Sequence, residues 1–198
     1  MWSRRAVLVA AVVLIATRSE SRIDGACHEI ATSAAVNDIS IDETHGIAYL
    51  AYLDRKPNAD DKQPVGTIML VDLNAKAPRV RAALTTDPAN FRPVGVSVYA
   101  PAQGLRRLFV LDASTGTFAV HVFEQSTTGA FTLVETRHDS RLVNARTIVA
   151  TGPDQFDIVN KEPWWHFARS SDVSAKYGTR SLIGSPTDRK LMLCEEGK

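Results

Sequence analysis

Three short phrases place a distinctive pair of residues at the head of an apolar run: Asn37-Asp38 before Ile39-Ser40-Ile41, Val94-Gly95 before Val96-Ser97-Val98, and Arg146-Thr147 before Ile148-Val149-Ala150. Asp38 carries the only carboxylate in these pairs, and Asn37 beside it offers an amide carbonyl oxygen. On their own the two read as strand-end or turn residues. No residue is assigned a catalytic role from spacing alone.

The other reactive side chains are scattered. His28, His45, His121, His138 and His166 show no ligand spacing and read as surface or strand residues rather than catalysts. Asp112 ends an apolar run just before Ser114-Thr115-Gly116, which is ordinary turn chemistry. No Gly-x-Ser-x-Gly elbow occurs, so a serine esterase of the α/β-hydrolase kind is not indicated. Cys27 and Cys194 are the only cysteines, and no Cys-x-x-Cys or His/Cys cluster points to zinc. In an exported chain two cysteines more often pair than stay reactive. There is no Asn-x-Ser/Thr sequon.

The elements that must position these groups are short strands. The chain has 198 residues, 44% hydrophobic and 23% charged, which supports a core of ~150 residues or more rather than disorder. A formal net charge of +1 gives no global attraction to nucleic acid or an anionic membrane. Arg4-Arg5 precede the uncharged run Ala6 to Thr17, so residues 1–22 read as a secretory signal, too short for a comfortable membrane span. With no clean small-x-small cleavage site, a retained signal anchor is the alternative. Either way the expected location is secreted, or membrane-associated on the extracellular or lumenal side.

Cys27 to Ala31 is a strand candidate standing alone. A first unit then supplies Asp38 to Ile41, Ile47 to Leu53, Gly66 to Asp72 and Arg79 to Leu84. A second supplies Gly95 to Tyr99, Arg107 to Asp112, Phe118 to Gln125 and Phe131 to Arg137. Alternation in Phe118-Ala119-Val120-His121-Val122-Phe123 predicts a half-buried strand. A third unit starts at Arg146, runs through Gln155 to Asn160, and continues to weaker strands near Thr179 to Ile183 and Leu191 to Cys194. Equivalent positions Asp38, Gly95 and Thr147 lie 57 and 52 residues apart. A repeat of roughly 50 residues with four short antiparallel strands predicts an all-β fold of propeller blades over residues 27–198; a sandwich of unrelated hairpins is the alternative. About three blades do not close a ring of the usual ~4 to 8, so a fragment, a truncated product or half of an assembly is expected. Innermost strands line a propeller's channel, so residues heading them converge on one axis.

The ordered phrases Asn37-Asp38-Ile39-Ser40-Ile41, Gly46-Ile47-Ala48-Tyr49, Gly66 to Leu73, Phe91-Arg92-Pro93-Val94-Gly95-Val96-Ser97, Leu108-Phe109-Val110 and Ile148 to Phe156 resemble the first half of the paraoxonase/arylesterase family. The resemblance covers about Cys27 to Asn160. It implies a six-bladed propeller with two calcium ions in the channel, hydrolysing aryl esters, lactones and, in some members, organophosphate triesters. It also implies specific losses. Asn37 stands where the family has a Glu ligand of the catalytic calcium, while Asp38 is kept where the family binds the structural ion, so the resemblance makes Asp38 and Asn37 the candidate metal ligands, with strand-end or turn roles as the alternative. Val94 and Ala113 stand where the family has histidines, and Arg146-Thr147 where it has an Asn-Asp ligand pair. The family counterpart of Cys27 bridges to a C-terminal cysteine that this chain is expected to lack. Arg146 sets a fixed positive charge where a cation would sit, suited instead to pairing with Asp38. Calcium is thus the family cofactor, with weak or no binding expected here.

Pro163-Trp164-Trp165-His166-Phe167 follows the third unit's second strand. In the resembling family this loop is aromatic, lipid-facing and substrate-covering. Trp164 and Trp165 beside Lys161 and Arg169 suit an interfacial anchor; the alternative is that both rings pack under a blade. Two functions are carried forward: an aryl-ester or lactone hydrolase with a largely substituted site, and a non-catalytic propeller fragment that binds lipid or a protein partner. A small ester or lactone is the expected substrate of the first, and nucleic acid is a partner of neither.

Overall fold

The computed structural model describes residues 26–32, 34–53, 65–114, 118–160, 173–177, 180–184 and 190–195. Regular structure among them is all β. The strands are β1 (Cys27–Ile30), β2 (Ala35–Asp42), β3 (Ile47–Leu53), β4 (Gly66–Asp72), β5 (Val80–Ala82), β6 (Pro93–Tyr99) and β7 (Arg107–Asp112). They continue as β8 (Ala119–Gln125), β9 (Phe131–His138), β10 (Ala145–Ala150), β11 (Phe156–Asn160), β12 (Val173–Tyr177), β13 (Arg180–Gly184) and β14 (Leu191–Glu195). Antiparallel pairing yields two complete meanders, β2-β3-β4-β5 and β6-β7-β8-β9. These are the first two units expected from the sequence, and the all-β, blade-like architecture stands.

The third unit differs from expectation. β10 and β11 form a two-stranded sheet of their own, while β12, β13 and β14 belong to a fourth sheet in the order β1-β14-β13-β12. That sheet lies beside the first meander, with β12 next to β2. The spatial order is therefore fourth sheet, first meander, second meander, two-stranded sheet. β1 does not stand alone, because Cys27 pairs opposite Cys194 and Ile30 opposite Leu191. Cys27 and Cys194 form a disulfide within that ladder, so the chain holds its own partner for Cys27. The disulfide agrees with the expectation that the two cysteines pair, whereas the β1–β14 ladder left no local pattern because its strands lie far apart along the chain.

Burial explains why the strands are so apolar. β3 turns Tyr49 and Ala51 toward the second meander, where they pack with Phe91, Leu108, Val110, Phe123 and Phe131. It turns Ala48, Leu50 and Tyr52 the other way, onto Leu182, Leu191 and Leu193 of the fourth sheet. Period-two alternation in a sheet covered on both faces reads as a continuous apolar run. β7 does the same, with Phe109 and Leu111 meeting Ala145 and Ile148 of β10. β8 is also buried on both faces, from Ala119 to Phe123. The half-buried reading of that strand is corrected: its alternation separates two packed faces, not core from solvent.

Contact between sheets also constrains backbone. A Cβ on Gly66 would come within 2.3 Å of the Tyr52 carbonyl oxygen and 2.5 Å of Pro93 Cδ, so only glycine fits where β4 meets the start of β6. Among the described residues no helix is long and apolar enough to cross a membrane. Residues 1–22 and the aromatic stretch with Trp164 and Trp165 lie outside the described residues.

The disulfide joins cysteines 167 residues apart and ties β1 to the last strand. Replacing both, Cys27→Ser with Cys194→Ser, is expected to lower the unfolding free energy by about 2–5 kcal/mol. Denaturant titration checks this; a loss below about 1 kcal/mol would mean that strand pairing and the packing of Ile30 hold the fourth sheet without it.

Candidate functional site

The inner strands β2, β6 and β10 lie side by side, and each is interrupted at the same point. The ladder skips Asn37 between Val36 and Asp38, Val94 between Pro93 and Gly95, and Arg146 between Ala145 and Thr147. An extra residue in one strand bends it and re-aims the following side chains. Val36, Pro93 and Ala145, just before the bulges, are all buried. The three pairs singled out from the sequence are thus equivalent in structure as well, brought together by the bulges at the heads of adjacent inner strands.

Adjacent inner strands share no ladder, and side chains bridge them instead. Asn37 Nδ2 donates to the Pro93 carbonyl oxygen at 3.1 Å. The Val96 N–H donates to Asp38 Oδ2 at 2.9 Å, and the Val98 N–H to Ser40 Oγ at 3.0 Å. From β6 to β10 the Ala150 N–H donates to Ser97 Oγ at 2.9 Å. Ser40 and Ser97 hold equivalent places after their bulges, so this bridge repeats. Gly95 is the counterpart of Asp38 and has no side chain to offer; a Cβ there would lie 3.5 Å from both Asp38 Oδ2 and the Arg146 carbonyl oxygen.

Asp38 consequently spends both oxygens on backbone amides, since Oδ1 accepts the Ile39 N–H at 2.9 Å. Burial pushes its carboxyl up from 3.8 to about 6, outweighing the opposing effect of the Val96 and Ile39 N–H groups. The expected ion pair with Arg146 does not form. The Asp38 carboxylate points into the β2–β6 junction, whereas the Arg146 side chain is exposed. A bulged residue projects away from its neighbour's direction, and that separates the two.

The donor set fits calcium poorly. The three bulges bring one carboxylate, already satisfied by two amides, together with Asn37, whose side-chain nitrogen is engaged with Pro93. No group of three or more His, Cys, Asp or Glu residues suited to a metal occurs among the described residues. Calcium needs more oxygens and more negative charge than this. Val94 forms a bulge, and Ala113 donates its N–H to the Arg92 carbonyl oxygen at 3.1 Å; neither side chain is a base.

Asp112 is more than a turn residue. Its carboxylate is buried at 3% exposure, accepting the Arg92 N–H at 2.8 Å and the Ser114 hydroxyl at 2.7 Å, with His121 Nε2 at 3.0 Å. His121, dismissed on spacing, is itself buried. A signal did exist: His121 shares a strand face with Phe123, and a histidine on an apolar face needs a polar partner. At the other end of β2 the buried Asp42 holds the hairpin turn, accepting the His45 N–H at 3.1 Å and facing Arg106 Nε at 3.3 Å.

A raised folded-state pKa means that Asp38 favours folding most below pH 3.8 and loses that contribution as pH rises through about 6. Wild-type protein is therefore expected to lose on the order of 1–3 kcal/mol more stability than Asp38→Asn between pH 4 and pH 7. Parallel denaturant titrations at the two pH values, with carboxyl NMR titration of Asp38, check the sign and the midpoint.

The chain matches the family model described as Arylesterase over residues 55–171. No curated protein gives a significant match. The match takes in the whole second meander, β10, β11 and the bulges at Val94 and Arg146, and it spans more than half of the sequence: the chain belongs to the arylesterase family.

Proposed function

We propose that the chain is an aryl-ester or lactone hydrolase by descent, whose channel-end site binds calcium weakly or not at all and turns over such substrates slowly. The observation that carries this reading is the use of Asp38: its carboxylate bridges β2 to β6 through the Val96 N–H, while Gly95 and Arg146 bring no further anionic donor. Calcium is not assigned a step in this chain. The disulfide between Cys27 and Cys194 and the apolar N-terminal run support an exported protein working in an oxidising compartment.

A second reading, a non-catalytic binding module, draws support from the far end of the sheet array. Val149 and Val159 on β10 and β11 are 48% and 59% exposed, on the face turned away from the second meander. Trp164 and Trp165 follow β11 closely in sequence and would add a lipid-facing anchor.

Calorimetric titration with calcium is expected to show no site of micromolar affinity, and phenyl acetate hydrolysis to be unchanged by EDTA. A micromolar site together with hydrolysis restored by calcium would overturn the reading of the channel. For the binding module, Trp164→Ala with Trp165→Ala is expected to reduce co-sedimentation with liposomes; unchanged partitioning would sink the anchor.

A further inference from the structure

The outer edge of β11 presents backbone groups that no ladder uses. At the hairpin turn the Thr151 and Gly152 N–H groups both donate to the Gln155 carbonyl oxygen, at 2.9 and 3.2 Å. Ladder bonds recur at every second residue, so Asp157 and Val159 bond back to β10, and the N–H and C=O groups of Phe156 and Ile158 point the other way. Among the described residues no strand pairs with that edge, whereas each meander has four strands. An open edge of this kind is a template for a further strand.

Beside the edge lies a cleft of about 660 Å³ between β9 and β11, walled by Val120, Leu142, Phe156 and Ile158. Side chains of β9 alternate between its two faces. Thr136 is turned away from the cleft, 2.9 Å from His121 Nδ1, and the ring's Nε2 meets Asp112 Oδ2 at 3.0 Å. Arg137, opposite Val120 in the ladder, faces the cleft. Its guanidinium lies 5.6 Å from the Phe156 ring centre, is paired with Glu135 at 2.7 and 2.8 Å, and donates to the Asp154 carbonyl oxygen. Arg141 and Asp139 form a second pair at the rim. An ionic ligand would have to break one of these pairs, whereas apolar side chains meet Val120, Phe156 and Ile158 directly.

A second copy of the chain does not fit by pairing its own β11 here. Antiparallel pairing of β11 with its counterpart is two-fold about an axis normal to the sheet. β10 rests on β6 and β7, so β8 and β9 extend past β11. The copy's β6 and β7 would need the space that β8 and β9 hold. A single strand is thin enough to lie over them.

We propose that the β11 edge takes up an extended peptide of another protein as an antiparallel third strand, its main chain bonding to Phe156 and Ile158 and its alternate apolar side chains filling the cleft. This deepens the binding-module reading and rests on it, but not on Trp164 or Trp165. The ladder supplies affinity, and the cleft selects apolar residues at every second position.

The probe is a fluorescein-labelled peptide of alternating valine and threonine flanked by lysines, titrated by anisotropy with the full disulfide-bonded chain. Saturable binding is expected, with slowed hydrogen exchange at the Phe156 and Ile158 amides. In an antiparallel third strand the residues whose side chains enter the cleft also turn their amides to β11. Methylating the valine amides is therefore expected to weaken binding by about tenfold or more, and methylating the threonine amides to leave it within a few fold. Equal loss from either methylation, or unchanged exchange at Phe156 and Ile158, would overturn the site. Protection of both amides in the peptide-free monomer would assign the edge to this chain itself and overturn it too, as would protection that appears only in a dimer seen by sedimentation. If the peptide fails to bind while liposome co-sedimentation depends on Trp164 and Trp165, this site fails and the binding-module reading stands. Failure of both removes both.

Discussion

Sheets that stand side by side around an axis share no strand ladder, so every inner-strand amide facing the next sheet needs a partner from a side chain. Here Asp38, Ser40 and Ser97 supply those partners to Val96, Val98 and Ala150. Leaving a buried amide unpaired costs about 1–3 kcal/mol, which is large beside the net stability of a domain. Asp38 does this with a carboxylate held against its own desolvation.

The remaining cohesion between sheets is apolar and two-sided. The first meander packs on one face against the second and on the other against the fourth sheet. The two-stranded sheet leans on the second meander through Phe156, whose ring lies 5.3 Å from that of Phe109. Outside that contact, Arg107 joins Glu124 to Asp154 and to the Pro153 carbonyl oxygen, and Arg137 reaches Glu135 and the Asp154 carbonyl oxygen. Such exposed pairs contribute little individually and mainly fix orientation. A cleft of about 660 Å³ lies between β9 and β11, walled by Val120, Arg137, Phe156 and Ile158.

The arylesterase match covers β4 to β11 and the bulges at Val94 and Arg146. At the channel end the scaffold is intact while the donors are few. Function resides in such sites rather than in the fold, so each must be argued on its own geometry.

Local pattern was sufficient to show strands of six or seven residues in Ile47–Leu53, Gly66–Asp72 and Arg107–Asp112, because alternation and turn residues act over a few neighbours. It also showed the repeat that sets Asn37, Val94 and Arg146 in equivalent places, since a bulge recurring in each inner strand leaves a periodic trace. Tertiary structure alone decided three things. It paired β1 with β14, a ladder with no local signature, around the disulfide that the two cysteines led one to expect. It turned Asp38 toward Val96 rather than Arg146, a choice made by the bulge and the neighbouring sheet. It drew Asp112, His121 and Thr136 into one line, because antiparallel pairing sets residues far apart in sequence side by side, and only that pairing determines which polar groups a buried histidine meets.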